Sequence, residues 1–249
     1  MHLVSWNLNG LEDENLDVRT EAALTEILLG GDMMALLASG RPPDLPDVVV
    51  LQEVVERTYV AHVVPHLRAA GFALVPPEPP ARGYFEVAAV RGTAIRLARW
   101  VPFPRTGQGR ALLELQLANG LTVMTAHLES LKPGGPVRME QAQFVLERLR
   151  RAGPAVFAGD TNLRNAEWDS LDSEGVEDAW RATGAVKADR DTWGRARYDR
   201  VWGAGGVRFT GFRRLGTDDV PEIGEPPSDH VGLRVSFEVA ESLPMPSEG

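Results

Sequence analysis

Seven polar side chains at the ends of apolar runs carry the chemistry of this sequence. They are Asn7 in SWNLNG, Glu53 in LQEV, His127 in AHLES, Asp160 and Asn162 in GDTNLR, and Asp229 and His230 in SDH. Strand-forming runs lead into the first four motifs (HLVSW, DVVVLQ, LTVMTA, AVFAG), and VGLRVSF follows the fifth. Strand ends are where a rigid sheet presents reactive groups. Carboxylates, amides and imidazoles gathered there suit a phosphoester site built around a hard metal ion.

Each residue type has its own task. A carboxylate such as Glu53, closing a buried strand, must be paired, hydrogen-bonded or metal-bound, because an isolated buried charge is too costly. Mg²⁺ prefers such oxygen ligands and keeps several waters. A salt bridge is the plainer alternative. Asp160 and Asn162 occupy alternate positions of an extended turn, so both project to one side. One can orient or deprotonate a water, and the other can hydrogen-bond a phosphate oxygen. GDTN alone would favour an ordinary Asx-turn or helix N-cap. His230 can donate to a phosphate as negative charge builds, Asp229 can face the metal directly or through water, and His127 offers a second phosphate contact with Ser130 nearby. Asp199, in RYDR, is a candidate to hold His230 in one tautomer. Trp193 can pack on a sugar or base. His2, His62 and His66 read as structural, and Trp6, Trp100, Trp168, Trp180 and Trp202 as core.

The elements that position these groups follow from pattern. Strands are predicted over 2–6, 47–52, 72–75, 84–91, 94–101, 110–117, 121–127, 154–159, 197–203, 207–214 and 231–238. Helices are predicted over 16–29 and 139–152, with a helical 54–70 that Pro65 kinks or restarts, and a short helix over 32–40 containing Met33 and Met34. Loops are expected at 76–83, 102–109, 131–137, 164–195 and 215–227. Many strands, few helices and reactive strand ends suggest an α+β architecture of two packed sheets with helices outside. One domain is expected over 1–240, with a flexible tail over 241–249.

Composition sets further bounds. The 249 residues are 43% hydrophobic, enough for a real core, and contain no Cys, which excludes disulfides and thiolate metal sites. No charged-then-apolar leader precedes His2 and no apolar run approaches a membrane span, so a cytoplasmic protein without a membrane partner is expected. The net charge of −9 disfavours broad duplex binding. Arg91, Arg96, Arg99, Arg105 and Arg110 nevertheless fall where no acid occurs between 87 and 113, and Arg190, Arg195, Arg197 and Arg200 form a second cluster. A locally basic cleft in an acidic protein fits both facts.

Taken in order, WN, QE, H, GDxN and SDH resemble the signature of the endonuclease/exonuclease/phosphatase superfamily, which includes DNase I and the abasic-site endonucleases. HLES, GDTNLR, the GYF at 83–85, VPFPRTGQGRALL at 101–113, DTW at 191–193, RYDRV and PSDHVGL are similar to the 5′-tyrosyl-DNA phosphodiesterases. The resemblance implies a DNase I-like four-layered sandwich of two mixed β-sheets flanked by helices. It also implies an Mg²⁺-dependent phosphodiesterase, with Mn²⁺ as a substitute ion. Its substrate would be a single-stranded or frayed 5′ DNA end joined through phosphate to the tyrosine of a trapped topoisomerase, cut by a monomer during DNA repair. Carried over, Asn7 and Glu53 hold the metal region and the phosphate, with Asp229 on the metal side. Asp160 and Asn162 handle the attacking water and the phosphorus centre. His127, Ser130 and His230 contact the phosphate and Asp199 supports His230. Tyr84, Arg110 and Trp193 line the single-strand groove. The resemblance places such an enzyme with the nucleoid in a bacterium and in the nucleus of a eukaryote. Abasic-site or 3′-end processing of DNA, and cleavage of RNA 5′ adducts, are the alternatives. The sequence departs from the family pattern at Asn9, where WNxDG has Asp, in a longer 29–46 segment, and in the PPEPPAR loop at 76–82.

Overall fold

The computed structural model describes residues 1–30, 44–184 and 186–240. The predicted helix over 32–40 with Met33 and Met34, most of the 29–46 segment and the 241–249 tail lie outside the described residues.

Among the described residues, twelve strands form two six-stranded mixed sheets. The first has the order β11-β12-β1-β2-β4-β3: Val207–Leu215, Gly232–Val239, His2–Asn7, Val48–Val54, Phe85–Val90 and Ala73–Val75. The second runs β5-β6-β7-β8-β10-β9: Ile95–Pro102, Ala111–Leu117, Thr122–Thr125, Ala155–Asp160, Asp199–Ala204 and Glu177–Asp178. Each sheet holds one parallel pair at its centre, β1 with β2 and β7 with β8, and is antiparallel elsewhere. Strands such as VVVLQ are apolar on both faces because both faces are covered. Along β1 and β2, Leu3, Val48 and Val50 face the other sheet, while Val4, Trp6, Val49 and Leu51 face helices.

The core is therefore layered. Leu3, Val48, Val50, Leu113, Leu115, Val123, Val156, Val201 and Phe237 fill the space between the sheets. Helix α1 (Leu16–Leu29) covers the first sheet with Ala23, Leu24 and Ile27, beside Tyr59, Val63 and Leu67. Those three belong to a segment made of α2 (Glu56–Thr58), a π-helical turn (Tyr59–Val63) and α3 (Val64–Ala69). Pro65 lies in the first turn of α3, where its missing N–H leaves nothing unpaired, so the helix restarts there. Helix α4 (Gly135–Arg151) covers the second sheet with Ala142, Val145, Leu146 and Leu149. It begins before the predicted 139 because Pro136 is tolerated in a first turn. Two mixed sheets packed face to face with helices outside are the expected four-layered α+β sandwich.

All eleven predicted strands form, within two residues at either end. The expected loop at 164–195 contains more order than pattern showed: α5 (Asn165–Asp169), β9, α6 (Ala179–Ala182) and a 3₁₀ turn (Lys187–Asp189). Elements this short span too few residues for a hydrophobic period to appear. No helix among the described residues is long and apolar enough to cross a membrane.

Candidate active site

The parallel pairs decide where the polar motifs meet. Two parallel strands end on the same edge, so β1 and β2 deliver Asn7 and Glu53 side by side. In the second sheet β7 and β8 do the same for His127 and Asp160, which form an isolated parallel bridge. Strand β10 runs against β8 and β12 against β1, so their starting residues reach the same edge. Asp199 opens β10, and His230 lies two residues before β12. One end of both sheets thus gathers residues scattered from 7 to 230.

Three of the motif residues lie in the left-handed region although none is glycine: Asn9 (φ 50°), Glu53 (φ 53°) and Asn162 (φ 51°). Such conformations persist where surrounding structure enforces them. For Glu53 the enforcing contact is Gly10, whose amide donates to the Glu53 carbonyl at 3.1 Å. A Cβ at Gly10 would lie 2.1 Å from that carbonyl oxygen. Asn162 is held by its own amide, which donates to Asp160 Oδ1 at 2.9 Å, and by its side chain, which donates to the Leu128 carbonyl at 3.3 Å.

Asp160 is the hub. Its Oδ2 accepts from Asn7 Nδ2 at 3.1 Å and lies 3.3 Å from His127 Nε2 and 3.7 Å from His230 Nε2. His127 Nδ1 lies 3.5 Å from Glu53 Oε1. The two imidazoles are tuned in opposite directions. Complete burial, with Arg110 nearby, holds His127 down at about 3 despite Asp160, so it is neutral. Burial also opposes charge on His230, but Asp199 and Asp160 outweigh it and push it up to about 10. The Asp199 contact is direct, 2.8 Å from Oδ2 to Nδ1, which leaves Nε2–H of a cationic ring aimed at the cleft.

Glu53 sits among other negative groups. Burial raises its carboxyl above the usual range, Asn7 opposes this by donating to it, and Asp160 adds to it. The Glu53 and Asp160 carboxylates flank the Asn7 side chain, whose oxygen accepts the Asn9 amide at 3.0 Å, and such an oxygen-rich set suits a hard divalent cation. Ligand atoms of Asp160, Asp199 and His230 also lie within 4.8 Å of one another. Their closeness is accounted for by the Asp199–His230 hydrogen bond, and a protonated ring has no lone pair to give a metal. The oxygen set of Glu53 and Asn7, with Asp160 beside it, is the better fit.

A cleft of about 510 Å³ opens over these groups, lined by Glu53, His127, Asp160, Asn162 and His230 together with Tyr84, Arg110, Ser130 and Trp193. Asn7 and Asp199 lie beneath it, both buried. Arg110 is buried, stands 5.1 Å over the Tyr84 ring, and has one terminal nitrogen without a partner. Trp193 is 42% exposed, stacks on Tyr198, and is bridged through backbone to His230. Ser130 is already engaged, its hydroxyl bonded to the Gln108 amide group. Asp229 points outward: it is exposed and accepts from the Trp193 indole N–H at 2.8 Å. Most of the other arginines in the two clusters are engaged in structure, while Arg96 and Arg195 are exposed. Arg99 pairs with Glu114, Arg105 with Glu140, Arg190 with Asp191, and both Arg197 and Arg200 with Asp178.

Sequence reasoning left several supporting residues unread. Trp6, taken as core, also donates its indole N–H to the His230 carbonyl at 2.9 Å and so fixes that residue from below. Glu129, buried inside HLES, accepts from Gly107 and Thr106 and shapes the loop that carries Arg110. Gln108 in that loop links Arg110 to Ser130. Buried Glu86 accepts the His127 amide. Lys132 and Arg164 complete the cleft wall. Trp6, Gln108, Glu129 and Arg164 stood inside quoted motifs with no role assigned, whereas Glu86 and Lys132 stood outside them.

The profile of the Endonuclease/Exonuclease/phosphatase family matches residues 4–230. Tyrosyl-DNA phosphodiesterase 2 of Gallus gallus is 28% identical over 95% of this chain, which spans 66% of that protein. The crystal structure of Danio rerio TDP2 complexed with single strand DNA product superposes with a TM-score of 0.81 at 29% identity, covering 96% of this chain and 99% of that one. The human Nocturnin catalytic domain with bound sulfate shares the fold alone, with a TM-score of 0.69 at 18% identity over 96% of this chain and 93% of that one.

Proposed function

This chain belongs to the endonuclease/exonuclease/phosphatase family and is a phosphodiester hydrolase, and on that premise we propose that it cleaves the bond between a 5′ DNA phosphate and a tyrosine side chain, leaving a 5′ phosphate. The observation that carries this reading is the pairing of opposite protonation states on one cleft floor: cationic His230 beside carboxylate Asp160, with neutral His127 and the Glu53–Asn7 oxygen set at hand. The same kind of chemistry in Gallus gallus tyrosyl-DNA phosphodiesterase 2, and the single-strand product held by the Danio rerio protein, support DNA as the substrate.

The family is divalent-metal dependent, and we take Mg²⁺ as the ion here; Glu53 and Asn7 would hold it, while Asp229 is turned toward Trp193. When bound it would supply charge neutralisation at the phosphate oxygens. The chain's own groups do the rest. Asp160, oriented by the Asn7 amide and the Asn162 backbone, takes a proton from the attacking water. His230 Nε2–H and the Asn162 amide donate to phosphate oxygens that gain charge as the water oxygen bonds to phosphorus. The P–O bond to tyrosine breaks on the opposite side, and the phenol oxygen leaves with the electron pair and is protonated from solvent. Tyr84, Arg110 and Trp193 border the single strand, with Trp193 offering a face to the first base. No covalent enzyme intermediate is required, and one copy of the chain supplies every side chain named, so a monomer suffices.

The test is release of tyrosine from a single-stranded oligonucleotide carrying a 5′-phosphotyrosine, beside an abasic duplex, with His230→Ala as control. Tyrosine release that falls on the order of 10²–10³-fold in the variant is expected. Cleavage of the abasic duplex alone would move the function to abasic-site repair.

A further inference from the structure

Two histidines that the cleft does not use lie on the far side of the first sheet's helices. His62 belongs to the π-helical turn and His66 to α3, four residues apart on one side of that segment. Asp17 and Glu21 have the same spacing on α1, the helix packed beside it. The four side chains meet. His62 Nε2 lies 3.1 Å from Asp17 Oδ1, and its Nδ1 lies 3.0 Å from Glu21 Oε2. The other Glu21 oxygen lies 2.9 Å from His66 Nε2, and His66 Nδ1 lies 2.8 Å from the His62 carbonyl. All four residues are half-buried, and Arg57 closes the group by pairing with Asp17. None of the four lines the catalytic cleft.

Counting hydrogens shows what this arrangement lacks. A neutral imidazole carries one N–H and one lone pair. Here every ring nitrogen faces an oxygen acceptor. His66 Nδ1 must donate to the carbonyl, which leaves a lone pair on Nε2 aimed at a carboxylate unless a cation stands between them. His62 meets the same conflict between Asp17 and Glu21. A proton on each ring would resolve it, and so would one divalent ion shared by two ring nitrogens and Glu21. The outer contacts favour the ion. A metal-bound histidine usually donates its other N–H to a carboxylate or a backbone carbonyl, which fixes its tautomer. His62 has the Asp17 carboxylate in that place, and His66 has the His62 carbonyl. Two histidines four apart is also the spacing by which one helix face presents a pair of imidazoles to zinc. Two imidazoles and a carboxylate suit Zn²⁺, whereas Mg²⁺ prefers oxygen ligands alone.

We propose that His62 Nδ1, His66 Nε2 and the Glu21 carboxylate bind Zn²⁺ in a second metal site, which ties α1 to the segment carrying the π-helical turn. The site is independent of the phosphodiester chemistry. Binding expels a proton from each of the two nitrogens to solvent, and the ion takes up both lone pairs. Two single charges leave and one double charge enters, so the local charge is unchanged and nothing is oxidised or reduced. The ring centres lie 6.5 Å apart. They must close by roughly an ångström to share an ion at Zn–N distances of about 2.0–2.1 Å, a shift within reach of half-buried side chains. A hollow of about 850 Å³, lined by Asp17, Glu21 and His62 among others, gives the ion its way in and leaves room for a water as fourth ligand.

The experiment uses Zn²⁺ itself, in excess Mg²⁺, on the full chain and on His62→Ala, His66→Ala, Asp17→Asn and Glu53→Gln, the last reporting on the cleft. Equilibrium dialysis should retain a single Zn²⁺ per chain in the parent and in Glu53→Gln, and none in either histidine variant. Asp17→Asn removes only an orienting charge and should weaken binding about tenfold. Zn²⁺ should raise the melting temperature of the parent and leave that of His66→Ala unmoved. Co²⁺ in place of Zn²⁺ should give the intense visible bands of a four-coordinate site with nitrogen ligands, which a six-coordinate ion bound by oxygen lacks. Circular dichroism before metal addition reports folding. If neither histidine variant folds, those bands together with weakened binding in Asp17→Asn support the site, and their absence from the parent overturns it. Zn²⁺ retained undiminished in the histidine variants would place the ion elsewhere and overturn the proposal. No Zn²⁺ retained by any of the proteins would also overturn it, and would leave the two rings as proton-bearing partners of the α1 carboxylates.

Discussion

The behaviour of single residues in this cleft is dominated by how burial and neighbours set protonation. His230 keeps its proton up to about 10 because Asp199 and Asp160 outweigh its burial. In the metal-free protein a raised folded value means that His230 contributes stability fully present below its unfolded value near 6.5, and lost as pH rises through about 10. The same proton serves catalysis, so kcat/KM should hold level from neutrality toward pH 10 on the alkaline side. Asp199→Asn removes the largest favourable charge, and its alkaline limb should move down by a unit or more with a lower plateau. A pH profile unchanged in that variant would show that another group sets the limb. Glu53 makes a second residue-scale prediction. Its carboxyl is held high by burial and by Asp160, so a bound cation offsets a standing repulsion. Glu53→Gln should raise the Mg²⁺ concentration for half-maximal activity tenfold or more, measured by titration after EDTA treatment, while leaving the fold intact by circular dichroism.

At the scale of elements, the site depends on strand ends being placed against one another within tenths of an ångström. Gly10 follows β1 and Glu53 lies near the end of β2, and the two backbones touch so closely that a Cβ would sit 2.1 Å from the Glu53 carbonyl oxygen. Gly10→Ala should therefore push β2 outward, destabilise the protein by roughly 2 kcal/mol or more, and cut activity beyond the loss of stability. Denaturant unfolding and kcat on the same preparation separate the two effects. This contact also shows what the sequence could and could not tell. The apolar runs announced the strands, and the polar residues ending them announced the site, because both signals are local. That Gly10 supports Glu53 is a contact across two strands, and nothing near residue 10 records it. Trp6 is the same case: its place in an apolar run read as core, and its indole bond to the His230 carbonyl spans the molecule. The outward turn of Asp229 toward Trp193 depends on a backbone bridge between two loops that pattern left structureless.

Across the whole molecule, a net charge of −9 and a phosphate-binding cleft are reconciled locally, since the cleft wall carries Arg110, Lys132 and Arg164 while Glu12, Glu14, Glu225 and Asp229 line a separate hollow. Of the nine arginines in the two sequence clusters, only Arg110 lines the cleft; Lys132 and Arg164 from other segments join it. The number of cations available to a strand is thus small, and it fixes how affinity must respond to salt. Each single-strand phosphate neutralised contributes a slope of about −0.7 to log K against log salt. Arg110, Lys132 and Arg164 together then give a slope near −2, shallow beside a protein that grips duplex along its length. The measurement is anisotropy of a short labelled single strand bearing a 5′ phosphate, in Ca²⁺ or EDTA to suppress turnover, over a tenfold range of salt. Lys132→Ala should weaken binding alike for every sequence, reduce the slope by about 0.7, and leave kcat at saturating substrate close to that of the parent. A slope of −5 or steeper would mean that phosphates are also held by a surface other than this cleft.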